Sequence, residues 1–252
     1  MNTHSNPPVT SIISFLILFI LSSCNADKKI NALQANPVAA KSSDVFKPYA
    51  GTGKLIAINF NDSNYADVSY YAIDTTTQDG WSIKYLIKDD STRYSDLYIE
   101  WSKNKSKGLY HFPDVLTFRR YFIPFFEGEN KKHLFFTHAC ATHCSAVLTL
   151  SKEKFPKYRE FISIANFNIP NGQIVYTTYK DYDSQFVAAI ADLNKGVERP
   201  AVFKNSPLFL EPMENIDSIS FSSNQVKLFA TLIDRNDTTR KKTVKEIQVV
   251  KF

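Results

Sequence analysis

The sequence predicts an all-β, antiparallel fold, and three observations carry that expectation. Apolar and polar residues alternate with period two over most of the chain after Gly51, the pattern of strands with one face inward. With 20 Phe and 13 Tyr among 252 residues, the composition favours pleated, half-buried surfaces. No stretch shows the sustained 3.6-residue periodicity of a long amphipathic helix. At 44% hydrophobic and 22% charged, the chain is globular in composition, which excludes collagen, wholesale disorder and a polytopic membrane protein.

Taken in order, the strand candidates are Leu55–Phe60, Ala66–Ile73, Trp81–Ile87, Asp96–Trp101, Tyr121–Phe126, His133–Cys140, Ser145–Leu150, Phe161–Phe167, Gln173–Tyr179 and Phe186–Leu193. Three more follow. Ile219 and Phe221 alternate with serines, Val226–Leu232 alternates next, and Val244–Phe252 ends the chain. Hairpins starting near Gly80, Lys131, Gly172 and Asn224 recur at a loose spacing of about 40–50 residues, the period of a four-stranded propeller blade. The expected architecture is a small β-propeller-like repeat of about four or five blades, with Val244–Phe252 closing the ring against an N-terminal strand. A β-sandwich or irregular barrel is the alternative, because each produces the same alternation.

The N-terminus is organised differently. Ile12–Leu21 is an apolar run of ten residues, too short for a membrane-spanning helix, which needs roughly 20, and suited to the h-region of a signal peptide. It is followed at once by Leu21-Ser22-Ser23-Cys24. This segment resembles the lipobox of bacterial lipoproteins. The resemblance implies a signal peptide over 1–23, diacylglycerol on the Cys24 thiol and acylation of the new amino group, so that several acyl chains hold the protein on a lipid bilayer. By the sorting rule of such lipoproteins, Asn25 in place of Asp after the cysteine implies the outer membrane of a Gram-negative bacterium, facing the periplasm or the exterior. Residues 24–47 are a flexible tether by composition, and 48–252 form one all-β domain.

The one dense cluster of reactive side chains is His138-Ala139-Cys140-Ala141-Thr142-His143-Cys144. If Cys24 is acylated, Cys140 and Cys144 are an even pair in an oxidising compartment, and a disulfide is expected. Strand parity places Leu134, Phe136, His138 and Cys140 on one face, and Cys144, Ala146, Leu148 and Leu150 on one face of the next strand. A three-residue connection would set the cysteines directly opposite each other. The competing reading is a zinc, copper or redox site at His138, Cys140, His143 and Cys144. The order C-x-x-H-C does not match the C-x-x-C-H of c-type haem attachment.

No nucleotide-binding, metalloprotease or serine-hydrolase signature occurs, and no cofactor is expected. Asp181–Asp183 and Asp234–Asp237 lack the Gly and Glu of an EF-hand and read as acidic turns. Glu100, Glu127 and Glu129 are candidates for the paired carboxylates of an extracytoplasmic hydrolase of glycans or peptides. The short basic runs Arg119-Arg120, Lys131-Lys132 and Arg240–Lys242 read as hairpin tips and sheet edges; nucleic acid is not an expected partner. The aromatic run Tyr121–Phe126 reads as core, and His111 and His133 as structural histidines. The resulting expectation is a lipid-anchored binding or interaction module for a protein or glycan ligand, with the hydrolase and the metal or redox site as alternatives.

Overall fold

A computed structural model describes residues 53–61, 65, 70–88, 96–112, 122–177, 186–209 and 212–252. The signal segment, Cys24, the tether, Arg119-Arg120 and Asp181–Asp183 lie outside the described residues. Every strand pairing among the described residues is antiparallel, and the strands form four separate sheets rather than the two of a sandwich or the single closed sheet of a barrel. The first sheet contains β1 (Leu55–Ala57), β2 (Thr75–Thr76), β3 (Ser82–Lys88), β4 (Leu97–Lys103) and β5 (Ser106–Phe112). The second is β6 (Phe125–Glu129), β7 (His133–Ala141), β8 (Cys144–Ser151) and β9 (Tyr158–Ile162). The third is β10 (Ile164–Asn168), β11 (Gln173–Thr177), β12 (Val187–Asp192) and β13 (Val197–Val202). The fourth is β14 (Ser206–Pro207), β15 (Ile216–Phe221), β16 (Gln225–Ile233) and β17 (Thr243–Lys251), with a 3-10 turn at Pro212–Asn215 leading into β15.

The sheets are filled in chain order, and the second and third are simple meanders of neighbouring strands. In the first, β1 and β2 share the edge of β3 opposite β4. In the fourth, β14 and β15 likewise share one edge of β16, and β17 covers the other over its whole length. The fourth sheet is therefore three strands deep where the others are four. Val244–Phe252, expected against an N-terminal strand, instead pairs with β16 through Val226↔Val250 and its neighbours.

Three apolar layers join successive sheets. Ile83, Tyr85, Ile99 and Trp101 of the first sheet pack with Leu134, Phe136, Leu148 and Leu150 of the second. From the other face of that sheet, Phe135, Val147 and Phe161 pack on Ile174, Tyr176, Ala189 and Ala191. Val175, Ala188 and Ile190 then meet Val226, Leu228, Ala230 and Leu232. This explains why β7 and β11 read as near-continuous apolar runs: both faces are buried. Each large side chain so buried contributes about 1.5–3 kcal/mol.

Three expected elements differ, and further strands appear. Tyr70–Ile73, the described part of the Ala66–Ile73 candidate, is turn and bend rather than strand. Phe161–Phe167 is two strands in two sheets, broken at Ser163, whose φ of 59° takes the chain through the left-handed region. Strands β5 and β13 occur where none is expected. Tyr121–Phe126 is not uniformly core, since Ile123 is buried while Phe125 is exposed; Tyr121 lies outside the described residues.

A polar seam ties the first hairpin turns together. Lys152, only 5% exposed in its side chain, reaches Asp79 at 2.8 Å and Glu129 at 2.5 Å. Asn130 donates to the Ile169 carbonyl oxygen at 2.9 Å, and Gln173 donates to that of Ser222 at 2.9 Å. The Lys131-Lys132 and Arg240–Lys242 runs sit at hairpin connections, as expected of residues that keep sheet edges from pairing.

Candidate functional site

A cavity of about 630 Å³ opens beside the starts of β6, β8 and β10 and the end of β7. Its wall draws on strands of the second and third sheets and on connections within the first and fourth. Tyr70 and Tyr71 precede β2; Phe125 and Glu127 lie on β6, with Thr137 and His138 beside them on β7; Asn166 and Phe167 lie on β10; Met213 is in the turn before β15. The mouth is aromatic and open. Tyr70 is 73% exposed and meets Tyr71 edge-on at 5.2 Å between ring centres.

The polar groups of the wall are few. Thr137 donates its hydroxyl to Glu127 Oε1 at 2.5 Å. Asn166 is exposed, and its Oδ1 accepts the Phe167 N–H. His138 is buried; its Nδ1–H donates to the Ala139 carbonyl oxygen at 2.8 Å, and Nε2 lies 3.0 Å from Glu160 Oε1. That second approach is within ion-pair range but outside hydrogen-bond geometry. Phe112 meets the imidazole edge-on at 5.1 Å.

The cysteine hairpin forms part of this rim through Cys144. Cys140 and Cys144 are at disulfide-bonding distance, with their Cα atoms 5.2 Å apart, as expected. The local geometry differs from a three-residue connection with the cysteines directly opposite. Ala141 pairs with Cys144, a bulge falls at Cys140, and the connection is Thr142-His143 alone. His143, at φ 57°, takes the left-handed position that such a turn requires and that glycine usually fills. The parity expectation holds up to the bulge, because Leu134↔Leu150, Phe136↔Leu148 and His138↔Ala146 are direct cross-strand pairs.

The four residues of the metal or redox reading are thus dispersed in role. The two sulfurs face each other, His138 turns to Glu160, and His143 is exposed on the turn. Among the described residues, no three His, Cys, Asp or Glu side chains are grouped to hold a metal ion.

The carboxylates named from sequence also separate. Glu100 pairs with Lys107 at 2.6 Å across β4 and β5. Glu129 is bound into the seam by Lys152 and by the Asp79 N–H, 2.8 Å away. Only Glu127 reaches the cavity. Asp234–Asp237 closes on itself: Asp237 accepts the N–H groups of Lys241 and Lys242 and the Thr239 hydroxyl at 2.7–2.8 Å. Those donors hold its carboxyl down at about 2, below the usual carboxylate range. His111 stacks on Tyr98 at 4.7 Å and pairs with Asp96 at 2.7 Å.

Tyr70, Tyr71, Asn166 and Met213 went unrecognised in the sequence. The aromatic doublet at 70–71 and Phe125 in the run after Tyr121 were the available signals. No family model, curated protein or solved structure matches this chain.

Proposed function

We propose that this chain is a lipid-anchored extracytoplasmic binding module whose ligand occupies the cavity beside the starts of β6, β8 and β10. The observation that carries the reading is convergence: residues as distant in sequence as Tyr70 and Met213 wall one open, mainly apolar cavity of about 630 Å³ with a few polar groups. Small-molecule and side-chain sites have this size and composition. The serial filling of four sheets supports a propeller-like arrangement. The lipobox at Leu21–Cys24 supports acyl anchoring to an outer membrane. With one carboxylate at the cavity among the described residues, the wall supports binding over the two-carboxylate hydrolysis considered from sequence.

Titration of the purified full chain with the apolar fluorophore 1-aminoanthracene tests the site. The expected result is saturable enhancement that Asn166→Trp, which fills the mouth from an exposed position, weakens at least tenfold. No enhancement, or enhancement unchanged by Asn166→Trp, would overturn the reading. For the anchor, Cys24→Ser is expected to release the chain from the membrane fraction; retention there would count against acylation.

A further inference from the structure

We infer that the cavity is built for a cationic ligand, an organic ammonium or a basic side chain, held between aromatic rings and the Glu127 carboxylate. This rests on the cavity being a binding site and adds the chemistry of what enters it.

The local charge of the wall opposes the charge of the whole chain. The chain as a whole carries a formal +5, with 30 Lys and Arg against 25 Asp and Glu. Among the described residues, the cavity wall reverses that sign: it contains Glu127 and neither Lys nor Arg. His138, the histidine among the described wall residues, has its Nε2 3.0 Å from Glu160 rather than paired with Glu127. Among the described residues, the sole partner of the Glu127 carboxylate is the Thr137 hydroxyl. A neutral donor of this kind orients the carboxylate without neutralising it.

The surrounding groups suit a cation rather than a metal ion. Tyr70, Tyr71, Phe125 and Phe167 supply aromatic rings, whose negative faces attract ammonium and guanidinium groups while their area buries the attached carbon skeleton. A hard divalent ion would need several oxygen ligands at short range, and the wall has one carboxylate among the described residues. An anionic ligand would meet Glu127 with no compensating Lys or Arg among the described wall residues.

The test is a matched pair of probes, benzyltrimethylammonium and its uncharged isostere neopentylbenzene, each used to displace 1-aminoanthracene from the full chain and from Glu127→Gln. Gln keeps the volume and still accepts the Thr137 hydroxyl. The expected result is at least a tenfold preference for the cation in the native chain, lost in Glu127→Gln while the neutral probe is unaffected. The preference is also expected to shrink as salt rises, because the carboxylate is exposed. Equal displacement by both probes, or a preference that survives Glu127→Gln, would overturn the inference while leaving the cavity a binding site. Failure of the fluorophore itself to bind would remove the underlying reading and the inference with it.

Discussion

Gly108 lies directly across the β4–β5 ladder from Trp101, and the indole ring occupies the space a side chain at 108 would fill. Trp101 is 1% exposed and donates its Nε1–H to the Ser151 carbonyl oxygen at 2.9 Å, so one residue anchors the first sheet to the second. A Cβ at position 108 would overlap several atoms of that ring. Gly108→Ala is therefore expected to displace Trp101, break its bond to Ser151 and destabilise the fold by about 2–3 kcal/mol, the upper part of the span for overpacking a filled core. Urea unfolding followed by tryptophan fluorescence checks this. A change below about 0.5 kcal/mol would mean the indole has room to move.

The cysteine hairpin gives a second expectation. Closing so short a loop restricts the unfolded chain less than a long-range bridge does, and the chain-entropy relation gives about 2 kcal/mol. Cys140→Ser with Cys144→Ser should lower stability by about that amount. In the native chain both thiols should resist alkylation under denaturing conditions until reduced. Free alkylation of both would contradict the pairing.

Protonation supplies a third. Burial first, and then Lys132 and Lys152, hold His133 down at about 4 from its ordinary 6.5. The unfolded chain therefore takes up a proton at His133 more readily than the folded one. The contribution is complete above pH 6.5, falls as pH drops toward 4 and is gone below it. At about 1.4 kcal/mol per unit, the loss is at most about 3 kcal/mol. Comparing urea stability at pH 7.5 and 4.5 for the native chain and His133→Gln isolates it, because the variant should lose less on acidification. Equal losses would count against the buried neutral imidazole.

A fourth concerns the seam. Lys152 Nζ sits between the Asp79 and Glu129 carboxylates and also donates to the Asn130 carbonyl oxygen at 2.6 Å. Lys152→Met keeps the apolar stem but leaves Glu129 partly buried without its cation. The expected cost is about 3 kcal/mol, since removing one partner of a buried pair strands the other charge. Pairing Lys152→Met with Glu129→Gln should recover part of the loss; no recovery would mean the two do not interact.

What the sequence revealed of this fold, and what it hid, follows from the range of the signals. Alternation along β16 and the paired runs of β7 and β8 are local, and strand class and cross-strand parity could be read directly from them. The recurring hairpins near Gly80, Lys131, Gly172 and Asn224 are the first-hairpin turns of the four sheets. Strand β5 was hidden because its inward positions are Gly108 and Tyr110, and the glycine reads as a turn until Trp101 is placed above it. Strand β13 contains Pro200, which a central strand would exclude; among the described residues it pairs only with β12, and an outer strand tolerates a missing N–H. The break at Ser163 was hidden because a serine at positive φ carries no compositional mark.

The cavity was less legible still. Glu127 and Phe125 were noticed as residues, but the neighbours that give them a role come from β7, β10 and the segments before β2 and β15. Convergence of that kind is set by tertiary packing, and no sequence period encodes it. Glu129, two residues from Glu127, illustrates the difficulty. A bulge between Phe126 and Gly128 interrupts the register between them, and the two carboxylates serve different partners.

The most direct test of the account is to map where a ligand binds. Backbone amide NMR of the full chain, titrated with benzyltrimethylammonium, reports the site residue by residue. The account predicts shifts concentrated at Glu127, Thr137, Ala139, Ser145, Asn166 and Phe167 around the cavity. Shifts confined to other surfaces, such as the exposed Ile247 and Val249 of β17, would contradict it.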